Sequence, residues 1–180
     1  SGGRCYPAVS VGMVELVVFK QYRRYLSAFL KSLGKEGRFR CQGTCTPVSN
    51  WERDPWIRRY IFPTSRLPSL ARLTKAAEGI FLVEDLLNFG PHYDPTLMAW
   101  EKNFRRAWPR FAPHYDERFR RMWRFYLLSS AGAFRARSLQ VYSILFRKDV
   151  AVSDDHLPLL RRLERREITH DRAPHDVACI

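Results

Sequence analysis

The sequence predicts an α/β fold with a mostly parallel sheet, and three observations carry that expectation. Short apolar runs of strand length alternate with segments whose apolar residues recur at helical spacing. The alternation runs strand, helix, strand, helix, strand, the rhythm of βαβ units. The chain's 180 residues, 46% of them hydrophobic and 14% aromatic, suffice for one domain with a substantial core.

Each element has its own signal. VSVGMV (9–14) reads as a short apolar strand that reaches Glu15 at its end. Tyr22, Leu26, Phe29 and Leu33 then recur at helical spacing, with Gly34 and Gly37 as stop signals. RFRCQ (38–42) is the next strand, followed by a polar connection through Pro47 and Pro55. LPSLARLTKAAEG begins with a proline suited to a first helical turn and ends with Gly79. IFLVEDL (80–86) is a strand candidate, and Trp100, Phe104 and Trp108 mark one side of a helix. Between them Tyr93 falls in a loop rich in turn formers, directly before that helix. Asp116 is a suitable N-cap for a second long helix carrying Phe119, Met122 and Tyr126. LQVYSILF (139–146) has the length and composition of a buried strand. The expected division is a lead-in at residues 1–8, a domain at 9–150 and a charged tail at 151–180 that includes RRLERRE.

Thirty-one Lys and Arg against 18 acidic residues give a formal charge of +13. Such an excess favours an anionic partner, either nucleic acid or acidic lipid headgroups. Nucleic-acid modules usually show a compact motif or stacking platform, and none is visible, so no nucleic acid is expected. No apolar run approaches the roughly 20 residues that span a bilayer, and no charged-then-apolar leader is visible. Cys41 and Cys45 have metal-like spacing without a second Cys/His pair, so no metal site is expected and the thiols are read as reduced.

Several stretches then resemble the C-terminal half of cyclopropane-fatty-acyl-phospholipid synthases: VSVGMVE, DPWIRRYIFP (54–63), LPSL (67–70), NFGPHYDPTLMAW (88–100), YDERFRRMWRFYL (115–127) and AGAFRAR (131–137). They stand in family order and close to family spacing over roughly residues 9–148. The resemblance implies part of a class I, Rossmann-like methyltransferase: strands 4, 5, 7 and 6 of its sheet plus a helical lipid-binding insertion. It implies transfer of a methylene from S-adenosylmethionine (SAM) to the cis double bond of a phospholipid acyl chain. The setting implied is cytoplasmic and peripheral to the membrane's inner face, with the helices at 96–108 and 116–130 lying on anionic lipid.

The same resemblance assigns the site. Bicarbonate is the family's proton acceptor, and Glu15, Gln42, Thr44 and Tyr93 occupy the positions of its ligands. A phenol suits the role because it donates a hydrogen bond while neutral, and a carboxylate beside an anion requires one of the two to be protonated. Three departures stand out: Gln42 replaces a histidine, Leu16–Val17–Val18 replaces HVG, and Thr64–Ser65 follows YIFP where the family has a glycine-bearing turn. The glycine-rich turn that holds SAM has no counterpart, so no cofactor-binding residue is assigned; a missing N-terminal half or a homo-oligomer are the partners this suggests. The alternative functional readings are a non-catalytic remnant that binds acidic membrane lipid and, behind it, a nucleic-acid-binding basic protein.

Overall fold

A computed structural model describes residues 5–49 and 54–148. The expected charged tail at 151–180 lies outside the described residues. The sheet has four strands: β1 (Cys5–Val11), β2 (Leu33–Cys45), β3 (Phe81–Asn88) and β4 (Gln140–Lys148). Their spatial order is β1-β2-β4-β3. β1 and β2 pair in parallel, whereas β4 runs antiparallel to both β2 and β3. This is the arrangement expected for strands 4, 5, 7 and 6. The sheet is therefore less parallel than the strand–helix rhythm suggested, because β4 returns between two strands that share a direction.

The boundaries show where local pattern yields to packing. The first strand begins at Cys5, inside the expected lead-in, and stops at Val11. Gly12 then turns the chain at φ +68°, and Val14–Leu16 forms a single 3-10 turn instead of strand. Helix α1 covers Tyr22–Ser32 and ends before either of its expected glycine stops. Gly34 and Gly37 lie within β2, where the register jumps from Cys5–Leu33 to Pro7–Arg38. That bulge needs a glycine: a Cβ on Gly37 would stand 2.5 Å from Leu33 Cβ.

The remaining helices are α2 (Pro55–Tyr60), α3 (Leu70–Ala77), α4 (Gly90–Phe111) and α5 (Glu117–Arg135). Ser69 caps α3, with its hydroxyl accepting from the Arg72 N–H, so Pro68 precedes the helix instead of opening it. Asp116 caps α5 as expected, accepting from the Phe119 N–H at 2.8 Å. Gly79, at φ +67°, closes the turn that leads into β3.

Helices cover both faces of the sheet. On the first face, Tyr22, Leu26, Leu73 and Ala77 pack against Phe39, Cys41, Cys45, Ile144 and Phe146. On the second, Leu97, Leu127, Ala131 and Phe134 of α4 and α5 pack against Val141. α4 and α5 are further joined by Glu101, whose buried carboxylate accepts from Arg124 at 2.8 Å and pairs with Arg105 at 3.2 Å. Aromatic rings continue along α5 from Tyr115 through Phe119 and Trp123 to Tyr126. No helix among the described residues is long and apolar enough to cross a membrane.

Candidate functional site

Parallel pairing brings the carboxyl ends of β1 and β2 side by side, and the Gly12 N–H donates to the Gln42 carbonyl at 3.0 Å. β3 runs the same way, so Asn88 reaches that end too, beside Gln140 at the start of β4. The strand ends of open α/β sheets are where ligands commonly bind. Here they floor a cavity of about 430 Å³. Its walls include Glu15 from the 3-10 turn after β1, Thr44 from the end of β2, Ile57 and Phe62 from the α2 region, and Phe125 and Tyr126 from α5.

Glu15 is held from three directions. The Thr44 backbone N–H donates to its Oε1 at 2.6 Å, and its own carbonyl accepts from the Arg66 N–H at 2.7 Å. Gly43 lets it approach, since a Cβ there would lie 2.5 Å from Val14 Cγ1 and 3.1 Å from Glu15 Oε2. The second oxygen, Oε2, is buried and has no hydrogen-bond partner. A buried polar atom without a partner is costly and calls for an explanation. Glu15 itself lines the cavity, so its carboxyl group stands beside whatever enters.

Two of the sequence-derived site residues thus meet directly, Glu15 and Thr44, though Thr44 spends its N–H on the glutamate. Gln42 and Thr44 occupy alternate positions of β2 and share a face with Val141, on the α4–α5 side of the sheet. Tyr93 departs from its expected setting, for it belongs to the first turn of α4 and not to a loop. The turn formers around it serve the helix start: Pro91 stands at the beginning of α4, and the Asn88 side chain accepts from the Gly90 N–H at 2.8 Å. Tyr93 is half-buried, packs on Phe134 at 5.1 Å, and is not among the residues lining the cavity. It neighbours Tyr126, which does line it; burial first, and the Tyr93 hydroxyl second, push the Tyr126 phenol above its ordinary pKa.

Other contributors carry little signal in the sequence. Ser65, Ser129, Ser130 and Ser138 set hydroxyls along a mostly apolar wall. Asn88 Nδ2 donates to Gln140 Oε1 at 2.9 Å, and Gln140 Nε2 donates to the Arg137 carbonyl at 3.0 Å. This link secures the turn bearing Ser138 and Leu139, where Arg137 adopts φ +60°. Only the recurrence of serine beyond the aromatic stripe of α5 could have flagged this wall. Cys41 and Cys45 are free and buried on the opposite face of the sheet, and burial raises both thiols, Cys41 to about 11. Among the described residues no group of His, Cys, Asp and Glu could hold a metal ion.

Residues 4–144 match the family described as mycolic acid cyclopropane synthetase. The chain belongs to that family. Over 142 residues it is 44% identical to cyclopropane-fatty-acyl-phospholipid synthase of Escherichia coli K12, covering 79% of this chain and 37% of that one. The cyclopropane synthase MmaA2 of Mycobacterium tuberculosis has the same fold, with a TM-score of 0.74 at 17% identity, covering 82% of this chain and 57% of that one. The mycolic acid cyclopropane synthase CmaA1, solved in complex with SAH and CTAB, superposes at 0.71 and 22% identity, covering 79% of this chain and 55% of that one. This cyclopropane synthetase family member therefore spans little more than a third of the curated relative's length and just over half of either solved chain's.

Proposed function

We propose that this chain is the acyl-accepting part of a cyclopropane-synthase-type, SAM-dependent methyltransferase of lipid biosynthesis. Its substrate is the cis double bond of a phospholipid acyl chain, met at an anionic membrane surface. The observation that carries this reading is the apolar cavity with Glu15, held by the Thr44 N–H, in its wall. An acyl chain fills such a cavity by the hydrophobic effect. Positive charge developing on it is stabilised most by a fixed carboxylate oxygen in dry surroundings. Thr44 acts as a positioning residue that aims Glu15, while Tyr126 and Tyr93 supply hydroxyls on the α4–α5 side.

The described residues do not fit SAM by themselves. β1 is followed by the lone Gly12 and a 3-10 turn, with no glycine-rich strand-to-helix turn. No step is therefore assigned through the cofactor. A small anion such as bicarbonate fits in part: Glu15 lines the cavity, but the Thr44 N–H is already taken and Gln42 cannot titrate near neutrality.

Titration with a monomeric fluorescent fatty acid tests the cavity. Saturable binding is expected, weakened at least tenfold by Ala133→Phe, which fills the lining; unchanged affinity in that variant would end the reading. Calorimetry with SAM should give no heat from this chain alone, and a micromolar signal would show that a cofactor site is present after all. The second reading, a non-catalytic remnant, is favoured by Gln42 at the histidine position. It separates from the first if the chain, mixed with the remaining part of the Escherichia coli relative, forms no cyclopropane product.

A further inference from the structure

The cavity opens beside an exposed aromatic patch. Phe62 and Phe125 belong both to its lining and to the surface, 46% and 54% exposed. Trp56 of α2 meets Phe125 edge-on at 4.5 Å, and Tyr60, 39% exposed, packs on Trp56 at 5.5 Å. Along α5, Phe125 continues an outward stripe that runs Arg118, Arg121, Phe125, Leu128 at helical spacing, all exposed. Cations surround these rings. Arg58, Arg59, Arg118 and Arg121 are exposed and form no ion pair among the described residues. Arg59 instead lies over the Tyr60 ring at 5.4 Å. Among the described residues the nearby acids are occupied: Asp54 caps α2 through the Trp56 and Ile57 N–H groups, and Glu117 pairs with Arg120.

We propose that α2 and the outward stripe of α5 form a docking surface for an anionic lipid bilayer, set around the mouth of the cavity. The aromatic rings lie at headgroup level, where an amphipathic ring has both an apolar and a wet neighbour. The unpaired arginines meet lipid phosphates. A chain leaving the bilayer then passes Phe125 and Phe62 into the cavity without crossing water. This assigns the membrane contact differently from the sequence pattern, which included the helix at 96–108. There, Trp108 is buried and Phe104 packs inward at the α4–α5 interface, which leaves Trp100, 44% exposed, as the one outward ring of that stripe. The inference rests on the acyl-chain reading for its purpose, but its test does not depend on it.

The test is co-sedimentation with vesicles of phosphatidylglycerol and phosphatidylcholine, beside vesicles of phosphatidylcholine alone. The full chain should pellet with the anionic vesicles, and salt should weaken the association. Arg58→Glu with Arg59→Glu should lower anionic partitioning at least tenfold. Lys102→Glu with Arg106→Glu on α4 makes the same charge change and should lower it less than threefold. Phe125→Ser should weaken partitioning to both vesicle types, with the far-ultraviolet circular dichroism unchanged. Equal losses from the two charge pairs would overturn the surface and leave net charge as the cause, and failure of the wild-type chain to pellet would overturn it outright. Binding of monomeric fatty acid without vesicle binding removes only this surface, whereas the reverse removes only the acyl-chain reading.

Discussion

The two faces of the sheet are built for different tasks, although the same strands serve both. On the first face, odd-numbered residues of β2 meet α1 and α3 in a closed aromatic core: Phe39 is fully buried and stacks on Phe29 at 4.1 Å and on Phe146 at 5.9 Å. On the second face, even-numbered residues of β2 look towards α4 and α5, and Arg40, Gln42 and Thr44 are only half-buried. The ion pairs Arg147–Glu84 and Arg124–Glu101 lie on this side. The contrast teaches that stability and chemistry are separated by a one-residue alternation. One face is dry and close-packed; the other tolerates polar groups and leaves room for a ligand.

Substitutions on either face break or sharpen that contrast. Phe39→Ala should cost most, about 3–5 kcal/mol in denaturant unfolding, because four aromatic neighbours would surround the void. Gly43→Ala sits where the faces meet the site and should cost about 1–3 kcal/mol through the clash with Val14, displacing Glu15 as well. On the second face, Glu101→Gln should cost about 1–2 kcal/mol, since Arg105 and Arg124 keep access to water after losing their partner.

Alkaline pH acts on the first face. The Cys41 thiol is pushed from 9.0 up to about 11 by burial, so the folded chain holds its proton where the unfolded chain has released it. Stability from Cys41 is full below pH 9 and is lost as pH rises towards about 11, by about 1 kcal/mol at pH 10, readable as a falling unfolding midpoint. Cys41 and Cys45 should also resist alkylation at pH 8 until denaturant is added. Trp100→Ser, on the exposed side of α4, should move the midpoint by less than about 0.5 kcal/mol.

Local signals were sufficient for much of this architecture. The alternation in β2 and the apolar run of β4 marked strands, and Asp116 marked a helix start, because period and capping act over a few residues. Local signals also misled. Gly34 and Gly37 looked like helix stops, yet they make a bulge, since glycine permits both and pairing with β1 decides between them. Tyr93 looked like a loop residue because prolines surround it, yet Pro91 is tolerated in the first turn of α4 and the helix continues through Pro95.

What the sequence determined by itself was therefore the four strands and the longer helices with their order, but not α2 or the 3-10 turn at Val14–Leu16. Tertiary structure decided that β4 enters between β2 and β3, and that the Thr44 N–H aims Glu15 across a gap of 29 residues. It decided, too, that Phe104 and Trp108 join two helices while Phe125 stays at the cavity mouth. The physical reason is reach: periodicity and capping are read over one or two turns, whereas burial and hydrogen-bond partners depend on segments that only folding brings together.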